Sequence, residues 1–90
     1  MLFRFGGIHM PKVNELLEIA KTEIKYLKPG EIFLVRDLFK GYDWNRISRS
    51  DRLLLGTLFL NYVKTTECEI NAIEKTSSGQ QRYIKFISLK

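Results

Sequence analysis

The order of apolar patterns along these 90 residues predicts a small α+β fold. Two stretches with apolar residues at helical spacing are separated by a short β-favouring run, and two further β-favouring runs follow near the carboxyl end. A loop containing Ser77, Ser78 and Gly79 separates those last two runs, as in a β-hairpin. We therefore predict a winged helix-turn-helix: three helices, one short strand and a C-terminal β-hairpin that forms the wing.

The first helix is predicted over residues 11–27. Its apolar side chains recur at helical spacing on one face: Val13, Leu16, Leu17, Ala20, Ile24 and Leu27. Pro11 suits the first helical position, and Lys28-Pro29-Gly30 ends the helix. The run Glu31–Val35 that follows is too short for a helix, so we predict a strand there.

The second helix is predicted to be short, from Arg36 to Lys40, with Gly41 closing its carboxyl end. The third helix is predicted from Arg49 to about Lys64. Ser48 precedes it, and its hydroxyl can accept a hydrogen bond from an early backbone N–H. Asp51 lies in the first turn, where the helix dipole favours a negative charge.

The third helix is apolar on two sides. At about 100° per residue, one broad face contains Leu54, Leu55, Leu58, Phe59, Tyr62 and Val63. Leu53 and Leu60 fall on the other side with Gly56 and Thr57, so we expect burial on two sides or contact with a partner. Few side chains here could read base edges in a major groove, which argues against sequence-specific recognition of duplex DNA.

The hairpin is predicted to consist of strands at residues 67–73 and 82–89. The connection from Glu74 to Gly79 places Lys75, Gln81 and Arg82 at or near the tip. We interpret Cys68 as a small buried strand residue rather than a nucleophile, because no histidine lies near it in the sequence.

Positive charge is concentrated in the later part of the chain. The net charge is +5, and residues 40–64 and 75–90 together hold nine Lys or Arg against two acids, Asp43 and Asp51. The remaining residues hold six bases and eight acids. This distribution is typical of nucleic-acid binding, although a solvated basic surface produces the same pattern.

The residue types do not predict enzymatic chemistry. One histidine and one cysteine provide neither a metal-ligand cluster nor a nucleophile with its base, and the glycines do not form a phosphate-binding loop. We therefore expect no cofactor and no catalytic residue. No apolar run approaches the roughly 18 residues needed to cross a bilayer, and a lone cysteine does not indicate an oxidising compartment, so we expect a cytoplasmic protein without membrane contact.

Bases and aromatic rings interleave between Lys40 and Arg52. In single-strand binding, cations follow the phosphates and rings stack on unpaired bases, each stack contributing about 1 to 3 kcal/mol. Together with the hairpin, this segment predicts one continuous track for an unpaired polynucleotide, formed by Lys40, Tyr42, Trp44, Arg46, Arg49, Arg52, Lys75, Gln81, Arg82 and Lys85. The alternative for Trp44 and Tyr42 is that they fill the space between the second and third helices.

Ninety residues are enough for one small core. We expect residues 10–90 to form the single winged-helix domain. Residues 1–9 are expected to be a leader outside it, either derived from cloning, as the pair His9-Met10 suggests, or disordered.

Two segments carry a resemblance to a known family: FLVRDLFKGYDWNRISRSDRLLLGTLFLNYV, which starts at Phe33, and KTSSGQQRY, which ends at Tyr83. The sequence resembles a small family catalogued as a domain of unknown function and encoded on staphylococcal cassette chromosome elements and related Gram-positive mobile DNA. The resemblance implies a compact winged helix-turn-helix that binds single-stranded DNA during replication or transfer of the element. A helicase or polymerase of the same element is then the expected protein partner.

The function expected from the sequence is non-enzymatic binding of single-stranded DNA with little sequence preference. Two alternatives stay open. One is a dimeric regulator that binds duplex DNA, which the apolar third helix opposes. The other is a protein-interaction module that uses Leu53, Leu60 and the aromatic segment.

Overall fold

The computed structural model describes residues 12–87 and shows an α+β fold. Within that range the helices are α1 (Val13–Glu23), α2 (Gly41–Arg46) and α3 (Arg49–Thr65), and the strands are β1 (Ile32–Phe33), β2 (Ile70–Ile73) and β3 (Arg82–Lys85). The predicted α+β class, with three helices, a short strand and a C-terminal hairpin, is confirmed. The prediction of a leader at residues 1–9 lies outside the described residues. In the described range, no helix combines the length and the apolar content needed to cross a membrane.

Helix α1 follows the predicted apolar stripe. The Glu15 carboxylate accepts a hydrogen bond from the Lys12 backbone N–H at 3.0 Å, which satisfies a donor at the start of the helix. Leu16 and Ala20 are fully buried on the inner face. The helix then tightens into a 3₁₀ segment, Ile24–Tyr26. The predicted first helix is thus confirmed from Val13 to Tyr26, its last turn being a 3₁₀ segment, while Lys12 and Leu27 are extended.

The predicted second helix is wrong in its position. Residues Val35–Leu38 form only a 3₁₀ turn, because the Asp37 carboxylate accepts a hydrogen bond from the Leu34 N–H at 2.8 Å and closes that turn on itself. The chain is extended at the next residue, Phe39, and α2 begins at Gly41. Gly41 therefore starts a helix rather than ending one, and most of the aromatic and basic segment between Lys40 and Arg52 is helical.

Helix α3 matches its predicted bounds closely. Ser48 is extended and its side chain accepts a hydrogen bond from the Asp51 N–H at 3.3 Å, as the capping pattern predicted. The buried residues recur every four positions: Leu55, Phe59 and Val63. Leu54, predicted on the inner face, is 48% exposed because it lies one residue off this narrow stripe.

The sheet has the strand order β1-β3-β2, and both neighbouring pairs are antiparallel. Phe33 lies opposite Tyr83, and Ile70 lies opposite Lys85. The strands are shorter than predicted. Glu69 has a φ of +62°, in the left-handed region, so the backbone becomes extended only from Ile70 onward.

Three aromatic rings join α3 to the sheet. The ring centroids of Phe59 and Tyr83 lie 5.0 Å apart in an edge-to-face arrangement, and Phe33 stacks on Tyr83 at 5.7 Å. Each of the three is at most 4% exposed. A second, smaller cluster of Leu16, Ile47 and Leu55 packs α1 against the start of α3.

Replacing Phe59 with alanine should remove the ring that joins the helix to the sheet. The expected loss is about 3 to 5 kcal/mol of unfolding free energy, from lost transfer energy and a residual cavity. Urea denaturation monitored by circular dichroism measures it. Tyr26→Ala is the control, because Tyr26 is 73% exposed and should change stability by less than about 0.5 kcal/mol.

Burial raises the pKa of Tyr83 to about 12, from its ordinary value of 10.0. The folded state therefore favours the protonated phenol, and its stabilising contribution, complete below pH 10, is lost as the pH rises toward 12. Between pH 10 and pH 12 the wild type should lose about 2 kcal/mol more stability than Tyr83→Phe, which has no ionisable hydroxyl. Denaturation curves at pH 9 and at stepwise higher pH measure the difference, and parallel pH profiles for the two proteins would contradict the prediction.

Candidate functional site

A surface groove lies between α3 and the connection that joins β2 to β3. We call it the α3–hairpin groove; its volume is about 370 Å³. One wall is the face of α3 that contains Leu53, Gly56, Thr57 and Leu60. These residues were predicted to share the second apolar side of the helix, and the structure shows that this side lines the groove.

The groove has an apolar interior and a basic outer edge. Fully buried Tyr83 and half-buried Leu34 and Leu60 line its interior. Arg36, Arg52 and Lys75 also line it, and among residues 12–87 no aspartate or glutamate does. The local field in the groove is therefore positive, which favours an anionic ligand.

Arg52 is held in position by the backbone. Its Nε donates to the Ile47 carbonyl at 3.0 Å and its Nη2 donates to the Asn45 carbonyl at 3.2 Å. Its guanidinium carbon lies 5.5 Å from the centre of the Trp44 ring, within the range of a cation–π contact. Through these hydrogen bonds Arg52 connects the end of α2 to α3. It also lines the groove.

Trp44 is half-buried between the core and the surface. Its ring lies 5.8 Å from that of Phe39 and packs against the smaller hydrophobic cluster. It lines the α3–hairpin groove and also a second cleft of about 380 Å³ beside α2, and Arg36 lines both as well. Trp44 therefore fills the space between helices, as the structural alternative predicted, while also facing the groove.

Other predicted residues of the first segment lie along α2 and the start of α3. Tyr42 is 55% exposed, and the Arg46 guanidinium lies 5.4 Å from its ring centre. An oxygen of the Asp43 carboxylate is 3.9 Å from Arg46. Lys40 is exposed just before α2, and Arg49 is exposed at the first position of α3. These four predicted residues do not line the groove.

The hairpin tip is closed by its own hydrogen bonds. The Thr76 N–H donates to the Gln80 carbonyl at 2.8 Å, and Gly79 adopts a φ of +89° that only glycine takes readily. The Gln81 side-chain amide donates to the Ile73 and Arg82 carbonyls. Gln81 and Lys75 line the groove from this side, and the closed loop fixes where Lys75 is presented.

Arg82 and Lys85 serve the fold instead of the groove. The Arg82 guanidinium forms an ion pair with Glu74 at 3.1 Å and also donates to the Glu74 backbone carbonyl. Lys85 is only 9% exposed, and its Nζ donates to the Ile24 carbonyl at 2.9 Å, at the end of the first helical segment. The structure therefore places the Lys85 ammonium inside the protein, away from the α3–hairpin groove, whereas the sequence had placed it on the predicted nucleic-acid track.

The groove thus brings together four of the predicted residues, Trp44, Arg52, Lys75 and Gln81. The sequence did not predict Arg36 as a site residue, because Arg36 precedes the basic region that begins at Lys40. It also gave no role to Gly56. The signal that could have found Arg36 is its position directly after the predicted strand Glu31–Val35; in the structure it lies in the 3₁₀ turn that follows β1.

A third cleft, of about 540 Å³, lies on another part of the surface and is lined by Cys68, Tyr62 and Lys85 among others. Burial raises the pKa of the Cys68 thiol, which disfavours the reactive thiolate. Burial and, next, the neighbouring Cys68 raise the pKa of Tyr62. Cys68 is half-buried and precedes β2, so its predicted place inside a strand is wrong.

The fold and the groove define a small α+β domain with a basic surface groove beside an antiparallel sheet. The chain belongs to the family described as Domain of unknown function (DUF1413), whose model matches residues 18–85. The matched range runs from the middle of α1 to the end of β3 and contains every residue of the groove. No curated protein and no solved structure matches the chain.

Lys85→Met tests whether Lys85 stabilises the fold, in contrast to Lys75, which lines the groove. It keeps the apolar stem but leaves the Ile24 carbonyl without its charged donor, so we expect a loss of about 1 to 3 kcal/mol of unfolding free energy. The matched control is Lys75→Met, at an exposed position, which should stay within about 0.5 kcal/mol of wild type. Urea denaturation of both variants measures this, and equal stabilities would contradict the structural role of Lys85.

Proposed function

We propose that this chain is a winged-helix protein that binds single-stranded DNA with little sequence preference and carries out no enzymatic chemistry. The chain order supports the winged-helix assignment, because a helix, a short strand and two helices precede a hairpin whose second strand pairs with that short strand. In this interpretation α3 follows α2 in the helix-turn-helix, and the β2–β3 connection is the wing.

The observation that carries the proposal is the charge of the α3–hairpin groove. Arg36, Arg52 and Lys75 line it, and its described lining residues include no aspartate or glutamate. A polynucleotide supplies a regular row of negative charges, and three cations that line one groove are complementary to such a row. Lys40 and Arg49, both exposed, extend the positive surface beyond the groove.

Single-stranded DNA is a better ligand than a duplex for the exposed surface of α3. Leu53 and Leu54 are 62% and 48% exposed near the start of the helix. Helices that read duplex DNA present arginine, asparagine or glutamine to the base edges, and leucine cannot form those hydrogen bonds. Apolar and aromatic groups do suit the faces of unpaired bases, which tolerate any sequence.

The biological setting follows from the resemblance to proteins of Gram-positive mobile DNA. We propose that the protein acts in the cytoplasm during replication or transfer of such an element. Its protein partner would then be a helicase or polymerase that works on the same single strand. The exposed pair Leu53 and Leu54 favours one alternative function, docking of another protein without nucleic acid.

Fluorescence anisotropy with a labelled oligothymidylate at two salt concentrations tests the proposal. Affinity should fall steeply with salt, and each lost phosphate contact should reduce the slope of log K against log salt by about 0.7. Arg36→Ala and Lys75→Ala should each show this reduction together with weaker binding. The control is Lys28→Ala, which removes the same charge from an exposed turn outside the groove.

Three results would contradict the proposal. In the first, Lys28→Ala reduces the slope of log K against log salt as much as Lys75→Ala does, which would show that net charge, and not the groove, governs binding. Tighter binding to one duplex sequence would favour the dimeric regulator. No salt-sensitive binding of any oligonucleotide would favour the protein-docking function.

A further inference from the structure

Gly56 occupies an interior position of α3 that no packing constraint explains. Glycine in a helix interior destabilises the helix relative to alanine, because it has more backbone freedom to lose on folding. Gly56 does not have a positive φ, so its backbone conformation does not require glycine. A Cβ built at this position meets no atom of residues 12–87 within 4 Å, so none of the described elements approaches too closely for a side chain.

The space beside Gly56 is the α3–hairpin groove. Leu53 and Leu60 stand one turn before and one turn after it on the same wall, so the missing side chain leaves a gap in that wall. Half-buried Leu34 and fully buried Tyr83 line the same groove. The gap therefore belongs to a groove whose lining is partly apolar.

The groove has the composition that a nucleobase needs. Its interior offers apolar contact for the face of a base. Thr57 and Gln80 offer polar groups for the edge; the Thr57 hydroxyl donates to the Leu53 carbonyl at 3.2 Å and still has acceptor capacity. Its volume of about 370 Å³ is near the lower limit of roughly 300 Å³ for small-ligand sites. A single base fits that size class, and a duplex does not.

We propose that one unpaired base of the bound strand enters the α3–hairpin groove at Gly56, while its flanking phosphates contact Arg36 and Lys75. This inference rests on the proposed function and adds to it a base-binding site and a residue that determines whether a base can enter. An alanine methyl at position 56 would narrow the gap and leave the three cations in place. In Gly56→Ala the stability of the fold should therefore rise, and the affinity for single-stranded DNA should fall.

The test compares two strands with the same number of phosphates, an oligothymidylate and its fully abasic counterpart. Wild-type protein should bind the oligothymidylate about tenfold more tightly, as expected for one buried base. Gly56→Ala should lose most of that difference while binding the abasic strand as wild type does. Its melting temperature should rise by roughly 3 to 8 °C, because alanine favours the helix.

The matched control is Asn61→Ala, at an exposed position of α3 that does not line the groove. It should also stabilise the helix, but without changing the affinity for either strand.

Equal binding of the two strands by wild type, or unchanged oligothymidylate binding by Gly56→Ala, would overturn the base-binding site and leave the proposed function standing. A lower melting temperature for Gly56→Ala would show that the space beside position 56 cannot hold a methyl group. Absence of salt-dependent binding of either strand by wild type would instead overturn the proposed function, and the base-binding site with it.

Discussion

The contact of α3 with the sheet through Phe33, Phe59 and Tyr83 is the constraint on which the rest of the structure depends. These rings are nearly inaccessible to water and lie within 5.0 to 6.4 Å of one another. They fix how far α3 stands from β3, and thereby set the width of the groove between α3 and the hairpin. Because Tyr83 also lines the groove, a rearrangement of the core would change the candidate site as well.

The basic residues of this chain have two distinct uses. Arg52, Arg82 and Lys85 donate to backbone carbonyls, so they hold segments of the fold in place, and Arg52 also lines the groove. Arg36 and Lys75 are exposed and line the groove. A net charge of +5 therefore overstates the charge that is available to a ligand, and the position of each cation is more informative than the sum.

The proposed ligand connects these features. Binding of a single strand needs cations for its phosphates and an apolar surface for unpaired bases, and the lining of the α3–hairpin groove contains both kinds of residue. Gly56 adds an opening on the wall of α3. Family membership over residues 18–85 supplies no function of its own, so the proposal rests on the groove and on the resemblance to proteins of mobile DNA.

The sequence by itself determined the α+β class, helices α1 and α3 and the hairpin, because apolar periodicity, the Ser48 cap and the Gly79 turn are local signals. It could not place α2, since a glycine beside a short turn is compatible with either a helix end or a helix start. Nor could it distinguish Lys85 from Lys75, because both are lysines in a basic region. Only the pairing of β3 places the Lys85 ammonium beside the Ile24 carbonyl. The groove was decided by tertiary structure alone, because its walls come from residues far apart in the chain whose separation is set by packing of the core.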